Sequence, residues 1–170
     1  MANMYKQYCR SGPQHYPAFS VYPFYHKAER MPWAAASVIE LDKVDKIIML
    51  SGATGRNPDT DREPRNWEEE RNKVGNVVGG IREQTAAVWS RIKEILEATG
   101  ASLTDIVFIT YFLVDRNDWW DMWDAQRQFL EEHCPDLLEN PRGGTLLKDV
   151  HLDLPDMRIE IEVMAVTAKK

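Results

Sequence analysis

The chain has 170 residues, 44% of them hydrophobic, and a formal net charge of -6. That length can bury the core of one domain without disulfides or metals, and the negative balance argues against general binding to nucleic acid, whose phosphates require clustered Lys and Arg. Cys9 and Cys134, its two cysteines, lie far apart in no Cys-x-x-Cys or Cys/His spacing, so neither a disulfide framework nor a zinc site is indicated.

The opening "MANMYKQYCRSGPQHYPAF" has no continuous apolar core of a signal peptide, and no later stretch is long enough to cross a bilayer, so a cytoplasmic protein without membrane contact is expected. Residues 1–36 differ from the rest in composition. Tyr5, Tyr8, Tyr16, Tyr22 and Tyr25 lie there with Phe19, Phe24, Pro13, Pro17, Pro23 and Pro32. This is too aromatic for a disordered tail and too proline-rich for a helix. It reads as an extended arm packed on its own domain or on a neighbouring subunit, ahead of a domain spanning 37–170. "SVIEL" and "KIIMLSG", separated by "DKVD", predict a β-hairpin. From Arg56 to Gly80 the chain turns charged and polar, a long surface loop with a short helical turn capped by Asn66.

Ile81, Thr85, Val88, Ile92, Ile95, Leu96 and Thr99 recur at three- and four-residue steps, which predicts an amphipathic helix stopped by Gly100. "DIVFITYFLVD" follows as a buried strand. "NDWWDMWDAQRQFLEEH" then predicts a helix capped by Asn117, with Trp119 or Trp120, Trp123 and Leu130 on its apolar stripe. "GGTLLKDVHL" and "RIEIEVMAV" close the chain as strands. The expected architecture is α+β, a mixed sheet with two helices on one face.

Several familiar chemistries find no counterpart. "SGATGRN" lacks the lysine and following helix of a phosphate loop, there is no Gly-x-Ser-x-Gly elbow, and His15, His26, His133 and His151 sit at no metal-ligand spacing. Cys134 beside His133 is a weak nucleophile candidate, better read as structural. Two features remain. Arg142 in "ENPRGGTLL" is held by Pro141 and followed by Gly143 and Gly144, whose bare backbone could join the guanidinium in gripping a carboxylate. A solvated loop arginine is the commoner outcome for such a residue. In the last strand Glu160 and Glu162 alternate with Ile159, Ile161 and Val163, so both carboxylates face away from the helices. That face meets either solvent or another subunit, and a carboxylate enclosed there could polarise a water.

From about Ser37 onward the chain resembles the reactive-intermediate deaminase family, also known as YjgF/YER057c/UK114. The resemblance rests on "LSGATG", "QTAAVWSRIKEILEATGASLTDIVFITYFLVD", the Pro-Arg pair of "ENPRGGTLL" and the closing "RIEIEVMAV". It implies a chorismate-mutase-like fold assembled as a homotrimer with clefts between subunits. It also implies hydrolysis of enamines or imines of amino acids to 2-oxo acids and ammonia without metal or organic cofactor. By the same resemblance, Arg142 holds the substrate carboxylate and Glu160 positions the attacking water. Gly52 and the backbone of Gly144 line the pocket, and Trp33 stands in for a family tyrosine. The aromatic arm and the long 56–80 loop depart from the family pattern at the mouth of the cleft. With Arg56, Arg62, Arg65 and Arg71 in that loop as partners for a second carboxylate, they point to a larger substrate such as 2-aminomuconate, an intermediate of aromatic-compound breakdown. The housekeeping alternative is 2-aminoacrylate or 2-iminopropanoate. A non-catalytic trimer that binds 2-oxo acids is the rival from another class, and ribonuclease activity fits poorly with the acidic charge. Arg142→Ala is expected to abolish turnover with the oligomer intact.

Overall fold

Two sheets and two main helices organise residues 13–26, 29–57 and 77–170, the part of the chain that the computed structural model describes (for His26, the backbone alone). The larger sheet is built around β6 (Ile106–Leu113) and β8 (Ile159–Ala168), which pair antiparallel. β7 (Gly143–Lys148) runs parallel to β6 at one edge, and β4 (Val44–Met49) lies antiparallel to β8 on the other side, giving the order β4-β8-β6-β7. The short β5 (Ala53–Thr54) also pairs with β8, setting Thr54 opposite Glu160.

The alternation of β8 works as its sequence predicts. Ile159, Ile161, Val163 and Ala165 are buried, while Glu160, Glu162 and Met164 are half-buried on the other face. Against the apolar face pack α1 (Ile81–Ala98) through Val88, Trp89, Ile92 and Leu96, and α2 (Trp119–His133) through Met122 and Leu130. Each such side chain contributes about 1.5–3 kcal/mol by leaving water. Gly100, at φ +82°, turns the chain out of α1, a conformation that side chains resist.

The "QT" pair at the start of α1 now has a physical role. Gln84 is fully buried, its Nε2 donating to the carbonyls of Gly79 (3.3 Å) and Asp156 (2.9 Å) while its Oε1 accepts from the Arg158 backbone N–H (2.9 Å). Thr85 donates to the Ile81 carbonyl at 2.7 Å. Arg158 in turn grips Asp118 with two hydrogen bonds of 2.7 and 2.8 Å. Both helix starts are thereby tied to the two residues that lead into Glu160.

Three expectations are corrected. "SVIEL" and "KIIMLSG" do not form a hairpin with each other. β3 (Glu29–Ile39) pairs with β2 (Phe19–His26), and with β1 (Gln14–His15) they make a separate three-stranded sheet, whereas β4 takes β8. A 3-10 turn over Leu41–Lys43 separates the two strands, and strand pattern alone does not distinguish a neighbour in sequence from a distant partner. The proposed arm is thus largely a hairpin, and the 36/37 boundary falls inside β3. Ala18, Phe19, Val21 and Ala34 of that hairpin bury themselves against Val107 and Val166 of the larger sheet. Asn117 does not cap α2; it sits in a 3-10 turn, Arg116–Asp118, where Asp115 accepts from the Asn117 N–H at 2.9 Å. A short helix the pattern did not announce, α3 (Pro135–Glu139), follows α2 and delivers the chain to Arg142.

Gln84→Leu keeps the volume but orphans the Arg158 N–H and two carbonyls, so urea unfolding should show a loss of about 2 kcal/mol or more.

Candidate functional site

Arg142 is fully confined: its side chain has 0% exposure. Its Nε donates to the Ile106 carbonyl at 2.7 Å, and Nη1 donates to the Tyr16 hydroxyl at 3.0 Å and to the Asn140 carbonyl. Nη2 donates to the Thr104 carbonyl at 3.1 Å and to Asp136 Oδ2 at 2.8 Å. A guanidinium has five N–H groups, and all five are spent here on the protein itself. The Tyr16 ring lies 4.4 Å from the guanidinium carbon, with the Phe19 ring stacked on Tyr16 at 4.5 Å between centroids, so the N-terminal hairpin roofs the arginine with aromatic faces. The Tyr16 hydroxyl also donates to both Asp136 oxygens at 2.8 Å. The carboxylate expected on Arg142 is therefore present, and it belongs to the chain.

Burial raises the proton affinity of Asp136, but hydrogen bonds from Arg142, Asn140 and Tyr16 outweigh it and hold the carboxyl below its ordinary value. Tyr16 is pushed up to about 12, chiefly by burial. Around neutral pH the cluster is a guanidinium, a carboxylate and a neutral phenol.

Glu160 occupies a different place. It sits half-buried on the open face of β8, and a Cβ on Gly52 would lie 1.6 Å from its Oε1, so the glycine makes the space the carboxylate fills. Burial first, then the negative charges of Glu162 and Asp153, push its carboxyl above the usual range. Arg142 precedes Gly143, which is opposite Phe108, whereas Glu160 is opposite Phe112. Five strand positions therefore separate Arg142 from Glu160, roughly 16 Å along the strand direction.

Gly144 pairs with Ile109, whose carbonyl oxygen would be only 2.4 Å from an added Cβ, so the close approach of β6 and β7 requires glycine there. Trp33, on β3, is 42% exposed. Arg142, Gly144 and Trp33 all line one cavity of about 720 Å³ between α2, β3 and the edge strand β7. The five expected site residues thus fall into two groups on one chain: Arg142, Gly144 and Trp33 around the cavity, and Glu160 with Gly52 on the open face of the sheet.

The remaining candidates serve the fold or lie outside the described residues. Burial raises the Cys134 thiol, which disfavours the thiolate a nucleophile needs. Arg56 pairs with Asp153 at 3.2 Å, and Arg62, Arg65, Arg71 and Asn66 lie outside the described residues. Sequence reasoning missed Asp136, Tyr16 and the cavity side of α2. The "CPD" start of α3 offered a weak signal for the first. The closely spaced Trp119, Trp120 and Trp123 were visible but read as core stripe alone.

An α+β domain with an arginine-rooted, tryptophan-walled cavity beside its sheet, and a protonatable glutamate on the opposite sheet face, is the class that the geometry defines. Residues 29–167 match the family model described as Endoribonuclease L-PSP. A RutC family protein of Pyrococcus abyssi is 32% identical over 108 residues, spanning 63% of this chain and 74% of that protein. The 2-iminobutanoate/2-iminopropanoate deaminase of Bos taurus is 29% identical over 129 residues, 72% of this chain and 74% of its own. Among solved structures, Escherichia coli TdcF with bound serine superposes with a TM-score of 0.54 at 23% identity, covering 73% of this chain and 83% of that one, a likeness of fold. The chain belongs to the reactive-intermediate deaminase family, also called YjgF/YER057c/UK114.

Because the carboxyl of Asp136 is held below its ordinary value, its contribution is present above ~pH 3.9 and is lost as pH falls through the lowered value. Asp136→Asn should cost about 2 kcal/mol at neutral pH and flatten the acid side of the stability profile, measured by urea denaturation from pH 3 to pH 7 (roughly spanning the carboxylate range).

Proposed function

We propose that the protein hydrolyses an enamine or imine of an amino acid to the 2-oxo acid and ammonia, at a site assembled between copies of the chain in a chorismate-mutase-like homotrimer. The observation that carries this reading is Glu160, a carboxyl with raised proton affinity set against a bare glycine on an open sheet face. The deaminase relatives support the reaction type. A group that takes a proton from water and returns it to a leaving nitrogen works best with a proton affinity near the working pH. The separation of Glu160 and Gly52 from Arg142, Gly144 and Trp33 favours assembly, since one small substrate cannot bridge both groups on a single chain.

The enamine first tautomerises to its imine, and the substrate carboxylate takes the place of Asp136 on Arg142. Exchanging one carboxylate for another keeps the guanidinium paired, so the step avoids the cost of a bare buried charge. The fixed positive charge withdraws electrons from the neighbouring C=N carbon. Glu160 accepts a proton as water adds to that carbon and the C=N electron pair moves to nitrogen, and it passes that proton to the nitrogen to give the neutral carbinolamine. The carbinolamine then collapses: Glu160 takes the hydroxyl proton as the C=O forms and delivers it to nitrogen as the C–N bond breaks, so ammonia leaves and Glu160 is ionised again.

On substrate, 2-aminomuconate relied on loop arginines. Arg56 is engaged with Asp153, and among the described residues the cavity lining offers, apart from Arg142, one cation, Lys148, for a second carboxylate. The relatives bearing an activity name are named for 2-iminobutanoate and 2-iminopropanoate, or for reactive intermediates, which favours imines of ordinary amino acids. Ribonuclease chemistry draws nothing from an open face that presents Glu160 and Glu162 to a polyanion.

Glu160→Gln should lower kcat by about 10²–10⁴-fold with the fold retained, read as ammonia release from 2-iminopropanoate and from 2-aminomuconate; undiminished turnover removes Glu160 from the reaction. For the wild type, kcat/KM should rise with pH through a value above the ordinary glutamate one, because only the ionised carboxyl accepts the proton. Gly52→Ala meets only the flexible end of Glu160, so it should displace that carboxyl and reduce kcat by roughly tenfold or more at nearly unchanged stability. Arg142→Ala, by contrast, strips five acceptors of their donor and should cost about 3–5 kcal/mol. An intact fold is not expected for that variant, and it cannot separate catalysis from folding.

A further inference from the structure

The cavity rooted at Arg142 is far larger than a small imine requires. Its volume of about 720 Å³ lies within the range of sites that enclose drug-sized ligands, about 300–1,000 Å³. The methyl side chain of 2-iminopropanoate would leave nearly all of it empty. Its walls combine aromatic faces, Trp119, Trp120 and Trp123 from α2, Trp33 from β3 and Tyr111 from β6, with aliphatic side chains such as Ile109, Leu130 and Leu146. Trp119 and Trp123 stack with centroids 5.6 Å apart, and Lys148 Nζ lies 4.6 Å from the Trp119 centroid. Trp120 is 74% exposed and Trp33 42%, so large apolar faces stand uncovered on opposite sides of the same space. Of the polar members, Gln126 accepts from Trp89 Nε1 at 3.2 Å and is hydrogen-bonded to Tyr111, whose hydroxyl burial keeps protonated.

We propose that this cavity receives the substrate's side chain, and that the protein is built for imines of amino acids with aromatic side chains. The inference rests on the deaminase reading above and adds its substrate class. Arg142, Gly143 and Gly144 border the cavity together with the tryptophans, the buried arginine at its edge, so a ligand that displaces Asp136 from the guanidinium lies next to the tryptophan-walled space. A phenyl or indole ring there can stack offset on tryptophan faces at centroid separations of about 4.5–7 Å, an arrangement that branched aliphatic chains cannot reproduce. An anionic side chain would meet, among the described lining residues, one further cation, Lys148, and walls that are otherwise largely apolar.

Two measurements on the full chain test this. Binding is followed by tryptophan fluorescence and calorimetry with 2-oxo-3-phenylpropanoate and with pyruvate. Turnover is followed as product formation from 2-imino-3-phenylpropanoate and 2-iminopropanoate, each generated in situ by an amino-acid oxidase. The aryl oxo acid should bind about tenfold tighter or better, and the aryl imine should have a kcat/KM higher by a similar factor. Trp123→Ala should reduce that aryl-to-methyl ratio by about tenfold, and Trp123→Phe should largely restore it. Equal binding of the two oxo acids overturns the proposal, as does a Trp123→Ala loss shared equally by both imines, or a cavity that a second copy of the chain closes to both ligands. Selective binding of the aryl oxo acid with no turnover of either imine would sink the deaminase reading but keep the cavity assignment. Turnover of 2-iminopropanoate without aryl preference would do the reverse.

Discussion

The Arg142 guanidinium draws its acceptors from five places: the Tyr16 hydroxyl on the N-terminal hairpin, the Thr104 carbonyl in the turn before β6, the Ile106 carbonyl at its start, the Asp136 carboxylate on α3 and the Asn140 carbonyl beyond it. Removing a donor at the centre of such a set leaves buried acceptors unpaired, which costs far more than forming the bonds contributes. The hairpin, α3 and the entry to β7 are consequently fixed relative to one another by a single side chain. Pro141 and the following glycines present the arginine inward, toward the protein, as well as bordering a cavity.

That placement changes what binding a carboxylate means here. An exposed arginine would meet a substrate after giving up only water. Arg142 must give up Asp136, and Tyr16 must give up its two bonds to the same carboxylate, before a ligand can take the seat. Asp136 stays tethered to α3, so its released carboxylate has to reach water while packed groups shift, and remote contacts with the rest of the ligand have to supply that cost. A large apolar cavity opening from the same arginine is a source of such contacts, and a methyl side chain reaches few of them.

The sequence disclosed what depended on local periodicity. Both helices, the central strand and the closing strand were legible because apolar spacing dictates which face is buried, as with Val88, Ile92 and Leu96 or Ile159, Ile161 and Val163. It failed where partners are chosen over long range. β3 and β4 look like a hairpin, but which strand an edge pairs with depends on where β2 and β8 arrive in space. Arg142 and Glu160 stood out as candidates by type and position. The Asp136 and Tyr16 contacts were not, since Tyr16 lies 126 residues from Arg142 and joins it only through the folded hairpin.

Keeping Glu160 away from Arg142 on the same chain has a chemical consequence. At about 4 Å and an effective dielectric of about 20, a guanidinium stabilises a carboxylate by about 4 kcal/mol, enough to lower its pKa by roughly three units and leave a feeble base. At the roughly 16 Å that the strand register indicates, the same attraction falls to about 1 kcal/mol and is further screened by salt. Glu160 instead has Glu162 and Asp153 as its charged neighbours, and these raise its proton affinity, as burial does. On the proposed reading, in which both groups act on one substrate, carrying them on separate surfaces keeps them from neutralising each other, and a second copy of the chain has to bring its open sheet face to the cavity for them to meet.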